Sequence, residues 1–235
     1  MTNNDWDSYF IEGTNVLKNK LGITDYDELE KAEKIITADK LRYLIENPIE
    51  NPTYDKRHLK TIHQYLFEDI YDFAGKYRTV NMAIGRNDVV GPISKGSYSI
   101  NSFVLAPMID YELDKAFDRV NNEIDYSRNI NEYSEALARF YATLIHIHPF
   151  REGNGRTSRE FIREYSNFKR KEKDFEIGEF KWTKIDREVL HEGIDVAFQY
   201  PGNISNEFMK TLKSDEKKKG RSLWNIYVLM QVVLL

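Results

Sequence analysis

The chain has no cysteine, which removes thiol nucleophiles, disulfide frameworks and cysteine-based zinc sites and leaves the redox compartment undetermined. It also lacks an excess of one sign of charge. Its 34 basic and 38 acidic residues are mixed along the sequence, for a formal net charge of -4. A nucleic-acid binder concentrates positive charge on one face, so nucleic acid ranks low as a partner. The opening, MTNNDWDSYF, has neither the basic start nor the apolar run of a secretory signal. The expected location is therefore cytoplasmic as synthesised, with secretion as an effector left open through a signal that lacks an apolar run. Long apolar runs are missing except from Leu223 to Leu235, just after Lys217 to Lys219 and Arg221. That stretch is too short to cross a bilayer as a helix, so membrane contact is not expected.

The 235 residues, 41% of them hydrophobic, suffice for one full core without staples. The expected organisation is an N-terminal helical segment packed on the core (1–50), a main domain (51–200) and a C-terminal helical extension (201–235), which could be the edge of a longer chain. Thr24 and Asp27 resemble a capping box, and Leu29, Ala32, Ile36, Leu44 and Ile45 keep helical spacing until Asn47-Pro48, predicting a helix over 26–46. Asp55 is a plausible N-cap for a second helix, where Leu59, Ile62, Leu66, Ile70 and Phe73 recur at steps of three and four up to Gly75. Val80, Met82 and Ile84 then alternate, Gly85-Arg86-Asn87-Asp88 supplies a turn, and Val89, Val90 and Ile93 follow. A short β-hairpin results.

Helical spacing returns with Leu105, Ile109, Leu113, Phe117 and Val120, and again with Leu137, Phe140, Leu144 and Ile147. Proline disfavours a helical residue before it, so His148-Pro149 should end that helix. Further helices are expected from near Thr157, through Ile185 to Phe198, and after Asn203. His58, His63, His146 and His191 read as structural residues.

Between two of these helices lies His148-Pro-Phe-Arg-Glu-Gly-Asn-Gly-Arg-Thr-Ser-Arg159, which combines a base, a carboxylate, a flexible turn and two arginines. Gly153, Asn154 and Gly155 can adopt left-handed backbone at low cost, turning N–H groups inward as an anion nest at a helix start. Arg156 and Arg159, three apart, project to one face within reach of adjacent phosphates. Glu152 is a hard oxygen ligand suited to magnesium beside polyphosphate. With an ordinary pKa of about 6.5, His148 can take a proton from an alcohol. The G-x-x-x-x-G-K-[ST] phosphate loop does not account for the segment, because glycine would be needed at Phe150 and lysine at Arg156.

The segment resembles the signature of the Fic domain family, H-P-F-x-[DE]-G-N-G-R-x-x-R, at every position. Leu66 to Arg78 is similar to that family's helix before its hairpin flap, and Gly13 to Gly22 to its entry segment, so the likeness runs from about residue 9 to about residue 212. The resemblance implies a mainly α Fic fold, a helical bundle with a short β-hairpin flap. It implies a protein adenylyltransferase that transfers AMP from ATP to Ser, Thr or Tyr of a target protein. Under it His148 would deprotonate the hydroxyl, and Glu152 would hold Mg2+. Gly153, Asn154 and Gly155 would bind phosphate through backbone and side chain, Arg156 and Arg159 would clamp the β- and γ-phosphates, and Ile84, Gly85, Arg86, Asn87 and Asp88 would hold the target by strand addition.

Two alternatives stay open: transfer of another phosphate-containing group by the same site, and a nucleotide-binding module without turnover. Control is a further expectation, since Fic proteins are commonly restrained by a helix bearing [ST]-x-x-x-E-[GN], in the chain or on a small antitoxin. Ser8 and Glu12, in Ser8-Tyr-Phe-Ile-Glu12-Gly13, fit that string.

Overall fold

The computed structural model describes residues 4–84, 90–92, 103–176 and 178–182. The hairpin tip Gly85 to Asp88, the expected helix from Ile185 to Phe198 and the segment 201–235 lie outside them. After one helical turn, α1 (Asn4–Asp7), the chain doubles back: Phe10 bridges Leu17, and the Ile11 N–H donates to the Val16 carbonyl at 2.8 Å.

Helix α2 (Tyr26–Glu46) has the expected bounds, but its cap is Asp25, whose carboxylate accepts from the Glu28 N–H at 2.9 Å. The Thr24/Asp27 pattern lies one residue out of phase with that cap. Helix α3 (Lys56–Phe67) is capped by Asp55 as expected. It stops at Phe67, not near Gly75. The chain continues in hydrogen-bonded turns, with the N–H groups of Ile70 and Tyr71 both donating to the Phe67 carbonyl. Such turns preserve three-residue spacing, so Ile70 and Phe73 keep the apolar period although the helix has ended. Gly75, at φ 72°, then reverses the chain so that its N–H reaches Nδ1 of His63 at 2.8 Å.

Strands β1 (Met82–Ile84) and β2 (Val90–Pro92) pair antiparallel, with Ala83 opposite Gly91. Helices α4 (Ile109–Asp125), α5 (Ile130–Ile147) and α6 (Asn154–Lys169) complete the described bundle. Helix α6 begins three residues before the expected Thr157, because Gly153 at φ 78° provides the turn directly ahead of Asn154. One core joins Leu59, Ile62 and Leu66 of α3 to Leu137 and Leu144 of α5 and Phe161 of α6, all at 0% exposure. Each such side chain contributes roughly 1.5–3 kcal/mol of transfer free energy. Leu29 and Leu44 of α2 belong to the same cluster. Antiparallel α5 and α6 thus deliver the connection between them, His148 to Gly153, to one end of a packed bundle. Among the described residues no helix is long and apolar enough to cross a membrane.

Candidate active site

The histidine and the glycine-arginine part of the signature come from opposite helix ends. His148 caps α5 in the left-handed region, at φ 49° and ψ 60°. Its Nδ1 lies 3.3 Å from the Ile145 carbonyl. A carbonyl can only accept, so Nδ1 carries the hydrogen and Nε2 keeps its lone pair. The ring stacks on Phe103 at 3.8 Å between centroids. Burial, followed by the positive charge of Arg78, lowers its pKa to about 3, so the imidazole is neutral at physiological pH.

On the other side, Gly153 is a necessity of both conformation and space. Its φ is 78°, and a Cβ there would lie 2.1 Å from Cζ of Phe67. The left-handed residue points the first N–H groups of α6 toward the approach to the helix, where the helix dipole favours an anion. Asn154 is buried and its side-chain amide is committed. Its Oδ1 accepts from the Phe150 N–H and its Nδ2 donates to the Phe150 carbonyl, both at 2.8 Å. The side chain therefore braces the loop, leaving the backbone N–H as its group available to an anion.

Arg156 and Arg159 both line a cleft of about 410 Å³, together with Glu33, Lys34, Tyr71 and Glu152. Arg156 donates to Glu33, to the Thr37 hydroxyl at 3.0 Å and to Glu152 at 3.5 Å. Glu33 also accepts a short hydrogen bond from the Tyr71 hydroxyl. Arg159 bonds the Tyr141 hydroxyl, and its carbonyl accepts from Nε1 of Trp182 at 2.7 Å. Glu152 accepts from the Gly153 N–H at 2.8 Å, and its recessed position and the nearby Glu33 carboxylate push its pKa up.

The loop between the two halves is pinned from behind by His63. Its Nε2–H donates to the Glu152 carbonyl at 3.0 Å, its Nδ1 accepts from Gly75, and its ring stacks on Phe150 at 3.8 Å. Burial lowers its pKa to about 4. Arg151, the unspecified position of the signature, packs its guanidinium over the rings of Trp6, Tyr9 and Phe10 at 4.3, 5.6 and 5.1 Å.

Glu152, Arg156 and Arg159 thus line one cleft, Gly153, Asn154 and Gly155 form the turn and first residues of α6, and His148 stands at the other end of the same loop without lining that cleft. Ser8 and Glu12 are not part of that group: both are exposed on the N-terminal segment, and neither lines the cleft. The carboxylate that meets Arg156 from outside the signature is Glu33. Of the hairpin residues only Ile84, which ends β1, is described.

The Fic/DOC family model matches residues 53–166, from the approach to α3 into α6. The chain is 30% identical over 158 residues to the "Probable protein adenylyltransferase Fic" of Escherichia coli, an alignment covering 66% of this chain and 70% of that protein. The chain belongs to the Fic/DOC family. It is also 33% identical over 184 residues to the protein adenylyltransferase VbhT of Bartonella schoenbuchensis. That match takes in 78% of this chain and only 34% of the relative, so this Fic chain spans about a third of the longer protein. In fold it superposes on the BepC effector of Bartonella tribocorum, determined with bound AMPPNP, at a TM-score of 0.70 and 20% identity over 97% of each chain. The mainly helical architecture is that of Fic domains.

Proposed function

We propose that this Fic/DOC chain transfers AMP from ATP to a serine, threonine or tyrosine hydroxyl of a target protein, releasing pyrophosphate. The observation that carries the reading is a neutral His148 whose free Nε2 lone pair stands across one short loop from the nest and arginines of α6. The hydroxyl oxygen attacks the α-phosphorus and its proton passes to Nε2. The bond from that phosphorus to the bridging oxygen breaks, and its electrons leave with pyrophosphate. Negative charge arriving on the phosphates raises the proton affinity of the imidazole, offsetting the depression it has in the free protein. The N–H groups of Asn154 and Gly155 donate to phosphate oxygens, joined by that of Gly153 once it leaves the Glu152 carboxylate it meets at 2.8 Å, and Arg156 and Arg159 balance the charge that grows on the leaving group.

Glu152 fits magnesium by its donor chemistry, a carboxylate on the cleft wall with Glu33 beside it. No three His, Asp or Glu side chains converge on a metal site among the described residues, so the ion would take its other ligands from phosphate and water. When bound, it supplies charge neutralisation on the polyphosphate. The β1–β2 hairpin holds the target in extended form by strand addition to its edge. A small antitoxin that brought a carboxylate to Arg159 would compete with the γ-phosphate through a charge-assisted pair.

The test is incubation with ATP labelled at the α-phosphate and, separately, at the γ-phosphate, followed by mass spectrometry of the modified protein. Label from the α position alone, with an added AMP mass, is expected. Label from the γ position would replace AMP transfer with phosphoryl transfer by the same residues.

A further inference from the structure

Arg78 lies outside the signature, and no step above uses it. Its side chain is buried, at 2% exposure, and its hydrogen-bond partners among the described residues are all backbone carbonyls. Nε donates to the His148 carbonyl at 2.7 Å, Nη1 to Val80 at 2.6 Å, and Nη2 to Ile147 at 3.2 Å and to Val104. Its own N–H donates to the Pro149 carbonyl at 2.9 Å.

A buried cation is costly unless compensated, and here two of the four carbonyls, those of Ile147 and His148, belong to the unsatisfied negative end of α5. The guanidinium therefore caps α5 while tying it to the segment that enters β1 and to the segment that leads to α4. The His148 backbone has the left-handed conformation, which is disfavoured for a residue bearing Cβ. The ring that stacks on His148 belongs to Phe103, the neighbour of Val104, and the Phe103 N–H donates to the Met82 carbonyl of β1. Both the backbone and the stacking wall of the imidazole are thus anchored on one side chain.

We propose that Arg78 is a positioning residue for His148: its four-carbonyl clasp holds the left-handed turn that aims Nε2 and fixes the base of the hairpin against it. The inference rests on His148 being the base. The phosphate-binding groups are held separately, by Glu33, Thr37 and the amide of Asn154, so loss of the clasp should reach the base and spare the nucleotide.

The experiment uses the full chain with Arg78→Lys, whose single ammonium keeps the charge but cannot span four carbonyls. Helical circular dichroism, ATP binding by calorimetry, turnover with α-labelled ATP and the ring resonances of 13C-labelled histidine are measured together. The expected result is wild-type helical signal, ATP affinity and KM for ATP within about twofold, turnover down at least about tenfold, and a shifted His148 resonance assigned by comparison with His148→Ala. A folded variant with turnover within about twofold and an unmoved resonance would overturn the proposal, as would equal losses of ATP affinity and turnover. Should Arg78→Lys not fold, Arg78→Ala with millimolar guanidinium chloride replaces it. Recovery of turnover by guanidinium but not by methylammonium supports the clasp, and no recovery refutes it. The histidine resonance reports on the clasp even if the wild type transfers no AMP, which separates failure of this proposal from failure of the assigned reaction.

Discussion

The two helix ends that meet at the signature loop are held by opposite electrostatics. At the end of α5 the fixed charge is a guanidinium enclosed by carbonyls, and the His148 imidazole beside it is kept neutral. At the start of α6 the arginines face an open cleft and Arg156 is partly balanced by Glu33 and Glu152. In the proposed reaction the base side needs exact aim and a free lone pair, whereas the phosphate side needs positive charge and accessible N–H groups. Burial serves the first and would defeat the second. One short loop accommodates both because His63 and Asn154 brace it from within.

The most severe way to separate the two sides is His148→Ala. Label transfer should fall by about a hundredfold to ten-thousandfold while ATP affinity stays near wild type, read by calorimetry beside the transfer assay. Retention of most activity with bound nucleotide would return the base to some other group. Under the proposed reaction transfer requires neutral imidazole in the wild type, and His148 is held far below an ordinary histidine at about 6.5. The kcat/KM profile should accordingly stay level as pH falls through that value, with its acid limb well below it.

The brace between the sides should show in stability. His63 has a folded pKa of about 4 against about 6.5 unfolded, so the unfolded chain binds more protons between those values. Its stabilising contribution is complete above about pH 6.5 and is lost as pH falls toward 4, by roughly 3 kcal/mol. Urea midpoints at pH 7 and near pH 4.5 measure the slope, and His63→Gln should flatten it. An unchanged slope would mean that other groups carry the acid sensitivity.

On the phosphate side alone, Arg159→Ala should weaken ATP binding about tenfold to a hundredfold, with a melting temperature within a few degrees of wild type. A large drop in melting temperature at unchanged affinity would make Arg159 a structural partner of Tyr141 and Trp182. The smallest effect is expected from Glu12→Gly. Because Glu12 is exposed and does not line the cleft, the variant should match the wild type in label transfer. A rise of about tenfold would instead show that the N-terminal segment can carry that carboxylate to the arginines.

The groups assigned to the proposed chemistry were legible because they are contiguous: twelve residues contain the histidine, the glycine-rich turn and both arginines. Their supports were not. Glu33 reaches Arg156 from 123 positions away, and Arg78 reaches His148 from 70. Glu33 stands among the many charges of α2, and His63, one helical turn from Leu59, reads as core in either role. Helix content was legible and helix ends less so. The apolar period past Phe67 continued through turns that keep its spacing, while the early start of α6 depended on a single left-handed glycine.

The aromatic cradle around Arg151 bears on how this family varies. The signature leaves that position unspecified, yet here it is 7% exposed and its guanidinium packs on three rings supplied by residues 6 to 10. Freedom at 151 is therefore freedom of a pair. A change from arginine to an acidic or short side chain, beside intact Trp6, Tyr9 and Phe10, would leave the rings without the flat cation they stack on. Across related sequences, substitutions at 151 should travel with substitutions in that N-terminal trio, a covariation between the opening of the chain and the middle of its signature.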